Sequence, residues 1–157
     1  MTSIQLGTVS HGTMRPQDLI PAFLSAVGEY CPTEYEQLLA NNSTIPAYVM
    51  DEGDESEWWH SEEAGHLLEN LFDLLDEIAP PYCYFGAHEG DGSDYGFWVC
   101  WECVNYGLEC GEIREIFDLT AGIEVFDEIG ESYDYYLLDG KVLYERIDGK
   151  MKEHWAV

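Results

Sequence analysis

Between Arg15 and Arg114 this chain contains neither lysine nor arginine, although acidic residues recur throughout that span. Over the whole sequence six basic residues stand against thirty-two acidic ones, a formal net charge of −26 on 157 residues. Self-repulsion on that scale works against any compact state. A chain that folds in spite of it is expected to use the charge. The acids are densest at residues 51–63, DEGDESEWWHSEE, where seven of thirteen positions are acidic and two tryptophans sit in the middle.

Composition argues that the chain does fold. Hydrophobic residues make up 46% and aromatic residues 14%, whereas disordered segments are poor in aromatics. The length suits one domain, residues 1–157, with its own core. An acidic surface repels nucleic acid and anionic lipid, and attracts basic proteins, metal cations and polyamines. No apolar run is long enough to span a membrane, and MTSIQLGTVSHGTM lacks the pattern of a secretory signal, so the expected location is the cytoplasm. Five irregularly spaced cysteines fit reduced thiols better than a secreted disulfide framework.

Helical patterns come first and strand patterns later. After Thr13 as N-cap, MRPQDLIPAFLSAVGEY places Leu19, Ile20, Phe23, Leu24 and Val27 at helical spacing, with Pro21 as a kink or the start of its regular part. Thr33 and Glu36 match a capping box for PTEYEQLLANN, with NNS as the stop, and STIPAYVMDEGDES reads as a connecting loop. The clearest helix is SEEAGHLLENLFDLLDEIAPP, capped by Ser61 and ended by Pro80-Pro81. Leu67, Leu68, Leu71, Phe72, Leu74, Leu75 and Ile78 form its apolar face, and Glu62, His66, Glu69, Asp73, Asp76 and Glu77 the opposite one. At about 1.5 Å rise per residue, successive carboxylates on that stripe lie roughly 5–10 Å apart.

PYCYFGAHEGDGSDYGFWVCWECV reads as a β-hairpin with a long Gly/Asp loop, and GEIREIFDLTAG as a short helix stopped by Gly122. GIEVFDEIG, SYDYYLLDG, KVLYERIDG and KMKEHWAV form a meander, with Asp139-Gly140 and Asp148-Gly149 as tight turns. The predicted fold is therefore α+β: N-terminal helices packed on a C-terminal antiparallel sheet made of the hairpin plus the meander.

The stretches YCYFGAHEGDGSDYGFW and HGTMRPQDLIPAFL resemble segments of acidic proteins of phages, plasmids and bacterial genomes, a resemblance that attaches no activity to them. It points toward mobile-element biology.

Candidate chemistry is sparse. Cys100 and Cys103 form a C-x-x-C, with Cys110 beyond it and Cys83 and His88 on the preceding arm, which makes Cys100, Cys103 and Cys110 weak zinc candidates. The motif reads as strand, where alternation sends the two thiols to opposite faces, and no second C-x-x-C exists. Small buried hydrophobes are the plainer reading, and no cofactor is expected. Glu89, Asp91, Ser93 and Asp94 offer oxygen ligands, but EF-hand spacing is absent and the same residues suit a turn. Paired carboxylates are inevitable at this acid content, and His60 and His66 do not make an H-E-x-x-H. No nucleophile elbow, phosphate loop or dinucleotide fingerprint is present, so a binding protein is expected rather than an enzyme.

Three accounts of the charge compete. Solubility needs only a net charge of about 2–8 in magnitude, which this chain exceeds several-fold. Adaptation to high salt, or a metal-binding globular protein without an inhibitor role, is the second; molar salt shortens the Debye length to about 3 Å. The third is a surface for the basic groove of a protein that handles nucleic acid, where carboxylates stand in for phosphates. In size and charge the chain resembles the DNA-mimic anti-restriction and anti-CRISPR inhibitors. The residues expected to meet the partner are Asp54, Glu55, Glu57, Trp58, Trp59, Glu62, Glu69, Asp73, Asp76 and Glu77, with the tryptophans as anchors or as caps on the core. An immunity protein or antitoxin neutralising a basic nuclease toxin would use the same physics.

Overall fold

The computed structural model describes residues 3–41, 45–119 and 133–157, with the Asp54 side chain left out. The class is α+β, with helices mostly in the first half and strands in the second, as the patterns indicate. The chain divides into two compact units. The first holds residues 1–79 and 84–98, the second 80–83 and 99–157.

The first unit opens with strand β1 (Gly7–Ser10) and helix α1 (Pro16–Tyr30). Arg15, not Thr13, is the N-cap, because Pro16 with its fixed φ starts the helix at N1. Thr13 instead ties the approach: its hydroxyl accepts from the Arg15 amide (3.2 Å) and donates to Asp18 (2.6 Å). Pro21 lies inside a helix that runs on to Tyr30, and Leu19, Ile20, Phe23, Ala26 and Val27 are its buried face. Helix α2 (Pro32–Ala40) also begins on a proline, two residues earlier than the capping box requires. Thr33 is thus already helical, and no side chain caps this helix.

The segment read as a loop contains helix α3 (Ala47–Glu52), whose Val49 is fully buried. It stops at Gly53, with φ +58, and two 3₁₀ turns follow, Gly53–Glu55 and Glu57–His60. Helix α4 (Glu62–Glu77) starts where Ser61 caps it, the hydroxyl accepting from the Ala64 amide at 3.2 Å. Ala64, Leu67, Leu71 and Leu75 are buried at spacings of three and four, the core stripe of an amphipathic helix.

Strands β2 (Cys83–His88) and β3 (Asp91–Val99) form the hairpin, and β3 is the centre of a three-stranded antiparallel sheet ordered β1-β3-β2. The hairpin loop is shorter than expected. Asp91 and Ser93 belong to β3, and the Asp91 carboxylate is used locally, accepting from the Ser93 amide (2.9 Å) and hydroxyl (2.8 Å). Gly96 is needed where β1 crosses, since a Cβ there would collide with the Gly7 carbonyl. Helices and sheet meet in an aromatic cluster: Phe23 of α1 contacts Phe72 of α4, Phe85 of β2 and Tyr95 of β3 edge-on, with centroids 5.0, 5.0 and 5.9 Å away.

In the second unit the stretch read as strand is helix α5 (Trp101–Cys110), with Cys100 as N-cap and Gly111 (φ +83) ending it in the left-handed conformation. The aromatic run FWV suggested continued strand, but β3 stops at Val99, and Val104 and Gly107 are buried at helical spacing. The reverse error concerns GEIREIF, where Ile113–Ile116 is strand β4. Ile113 and Ile116 are three apart, a helical signal, yet both are buried in a strand covered on both faces. The expected stop at Gly122 and the strand GIEVFDEIG lie outside the described residues.

The meander follows as β5 (Tyr135–Leu138), β6 (Val142–Ile147) and β7 (Lys150–Ala156). The sheet order is β4-β5-β6-β7, with β4 parallel to β5 and the other pairs antiparallel. Asp139-Gly140 and Asp148-Gly149 turn the strands with positive φ at both residues, the hairpin geometry that Asp-Gly favours. Val99, Val104, Ile113, Ile116, Tyr136, Leu137, Leu143 and Trp155 are the buried apolar residues of the second unit among the described residues. Among the described residues no helix is long and apolar enough to cross a membrane.

Candidate acidic binding face

The basic residues are unevenly divided. Eighteen of the thirty-two acidic residues but only one basic residue, Arg15, fall in the first unit. That arginine is engaged: its guanidinium donates to Asp18 at 2.8 and 3.1 Å. With Thr13 as a second donor, it holds the Asp18 carboxyl below its ordinary pKa. The acids from Asp51 to Glu77 therefore have no lysine or arginine of their own unit to face except one already committed elsewhere.

Helix α4 sorts its residues by face. Glu62, Glu69, Asp73, Asp76 and Glu77 are exposed opposite the buried Leu67–Leu71–Leu75 stripe, and His66 shares their side. From Glu62 to Glu77 this face runs about 22 Å at helical rise. Asp76 has a second task, accepting a hydrogen bond from the Phe85 amide at 2.9 Å and so joining α4 to β2. The last turn carries Asp76 and Glu77 and no basic residue, although the helix dipole favours cations there.

Upstream of α4, the acidic run lines a cleft of about 530 Å³ bounded by Tyr48, Glu52, Glu55, Ser56, Glu57 and Trp58. Three glutamates and two aromatic side chains make a wall suited to a cationic group with an apolar stem, such as lysine or arginine. Of the expected residues, Glu55 and Glu57 are here, and Asp54 lies in the adjoining 3₁₀ turn. Tyr48 and Glu52 are not among the residues the sequence singles out, because their segment reads as a loop. Ile45 and Val49, four apart and both packed inward, were the available signal.

The tryptophans belong mainly to the core. Trp58 is 7% and Trp59 5% exposed, and their rings meet edge-on with centroids 5.2 Å apart. The Trp59 indole N–H donates to the Gly53 carbonyl at 2.9 Å, and that of Trp58 to Glu63 at 3.3 Å. Ser56, buried beneath them, accepts from the Trp58 amide. The pair thus fixes the path of the acidic segment, and Trp58 lends part of its ring to the cleft.

The cysteine motif is not built as expected. Cys100 and Cys103 are joined in a disulfide at the N-terminus of α5, where a helical turn brings residues three apart onto one side. Cys31, Cys83 and Cys110 are free, and burial pushes the Cys83 thiol up to about 12. Among the described residues no three His, Cys, Asp or Glu side chains are grouped so as to hold a metal ion. No family model, curated protein or solved structure matches this chain.

Proposed function

We propose that the first unit is an acidic, nucleic-acid-mimicking surface that docks into the basic groove of a cytoplasmic nucleic-acid-handling protein and blocks it, as a counter-defence inhibitor would. The observation that carries the reading is the sorting of charge on residues 51–77. The described carboxylates are outside, apolar and indole groups are inside, and no lysine or arginine lies between Arg15 and Arg114. Like charges aligned along one helix repel each other, and a cationic partner removes that cost on docking. The cleft beside Tyr48 and Trp58 then receives one basic side chain, and the α4 face covers the phosphate track.

The test is an affinity capture at low salt with elution by a salt gradient, followed by competition. The captured partner, pre-loaded with its DNA or RNA, should be protected from this protein, and binding should fall steeply with ionic strength. Simultaneous binding of nucleic acid and this protein, without mutual interference, would falsify the reading.

A further inference from the structure

The disulfide between Cys100 and Cys103 closes a small ring at the N-terminus of α5, a ten-residue helix. Its two sulfurs differ in setting. Cys100 is half-buried at the N-cap, and its Sγ accepts a hydrogen bond from the Cys103 amide at 3.3 Å. Cys103 is exposed. Free amides and the positive end of a helix dipole stabilise a thiolate at an N-cap, so Cys100 is the better leaving group. An exposed sulfur linked to a good leaving group is the one an incoming thiolate attacks. Within the ring Trp101 is 44% exposed, and its indole meets the edge of Trp155 at 6.2 Å. The Trp155 N–H is anchored on the Pro81 carbonyl at 2.8 Å.

We propose that Cys100 and Cys103 form a redox-active dithiol–disulfide site, entered at the Cys103 sulfur, that exchanges two electrons with dithiol reductants. One thiolate of the reductant attacks Cys103 Sγ, the S–S bond breaks, and its electron pair leaves on Cys100 Sγ, which takes a proton from solvent as it equilibrates. The second thiol of the reductant, losing its proton, attacks the reductant's own sulfur in the mixed disulfide and expels Cys103 as a thiolate, which takes the second proton from solvent. Two electrons and two protons pass to the protein, and the reductant departs as a cyclic disulfide. Cys83, with its thiol held protonated by burial, stays outside this exchange. The site lies in the second unit and does not depend on the acidic face.

The test uses the full chain carrying Cys110→Ser, which removes the free exposed thiol. After incubation with oxidised glutathione, acid quenching and alkylation, mass spectrometry should find Cys100 and Cys103 unalkylated and linked. Dithiothreitol should release both thiols, and reoxidation should restore the link, with far-UV circular dichroism unchanged throughout. With 2-mercaptoethanol as a monothiol probe, trapped adducts should map to Cys103 over Cys100 by about tenfold. Cys100→Ser keeps a good helix cap and should accumulate the glutathione adduct at Cys103. Two free, alkylatable thiols after the oxidised-glutathione step would overturn the proposal, and so would adducts divided equally or favouring Cys100.

Discussion

Asp73 and Glu77 test whether the acidic face of α4 is held at a cost. Asp73 lies four residues from both Glu69 and Glu77 and three from Asp76, and all four are exposed. Each like-charge pair at that spacing destabilises a helix by about 0.2–0.5 kcal/mol. Glu77, the last residue of the helix, also faces the negative end of the dipole, worth about 0.3–1 kcal/mol at low ionic strength. Replacing both, Asp73→Asn with Glu77→Gln, removes the three repulsive pairs around Asp73, that with Glu77 among them, and the dipole penalty. Asn and Asp have similar helix propensity, as do Gln and Glu, so propensity does not offset the gain. The expected result is a stability increase of about 1–2 kcal/mol at low ionic strength. In 1 M salt, where screening acts over about 3 Å, the gain should shrink to under about 0.5 kcal/mol. Urea unfolding of both proteins, followed by tryptophan fluorescence at the two salt concentrations, measures this directly. A loss of stability, or a gain independent of salt, would refute the claim that these carboxylates stand unneutralised against one another. Under the proposed function, the same double variant should bind its partner more weakly, through a slower association rate.

Two further outcomes follow from individual contacts. Asp76→Ala should cost about 1–2 kcal/mol by leaving the Phe85 amide without its acceptor, whereas Asp76→Asn, which keeps an acceptor oxygen, should cost much less; equal effects in denaturant titrations would show that the α4–β2 hydrogen bond contributes nothing. Asp18, held below the ordinary carboxyl range first by Arg15 and then by Thr13, stabilises the fold above its unfolded pKa and loses that contribution as pH falls through its lower folded value. Arg15→Gln should therefore move the Asp18 titration upward in carboxyl-carbon NMR, and an unchanged midpoint would exclude Arg15 as the main cause.

The parts of this protein legible in its sequence are those whose signals act within a turn or two of chain. Ser61 caps α4 because its hydroxyl reaches an amide three residues on, and the leucine period names the buried face without reference to any partner. Asp139-Gly140 and Asp148-Gly149 give hairpin turns because both positions tolerate positive φ. The exposure of the α4 carboxylates follows from the same period. Tertiary structure decided the rest. Ile113 and Ile116 fit helical spacing as well as a doubly covered strand, and only pairing beside β5 selects the strand. Gly7–Ser10 becomes β1 because β3, more than eighty residues later, supplies hydrogen-bond partners and a glycine where the backbones cross. Whether Trp58 and Trp59 face a partner or the core depends on the apolar surface that α1 and α4 leave for them, and composition carries no record of that choice. Read as strand, Cys100 and Cys103 fall on opposite faces. Ending β3 at Val99 and starting a helix at Trp101 brings them to one side, where they form a disulfide.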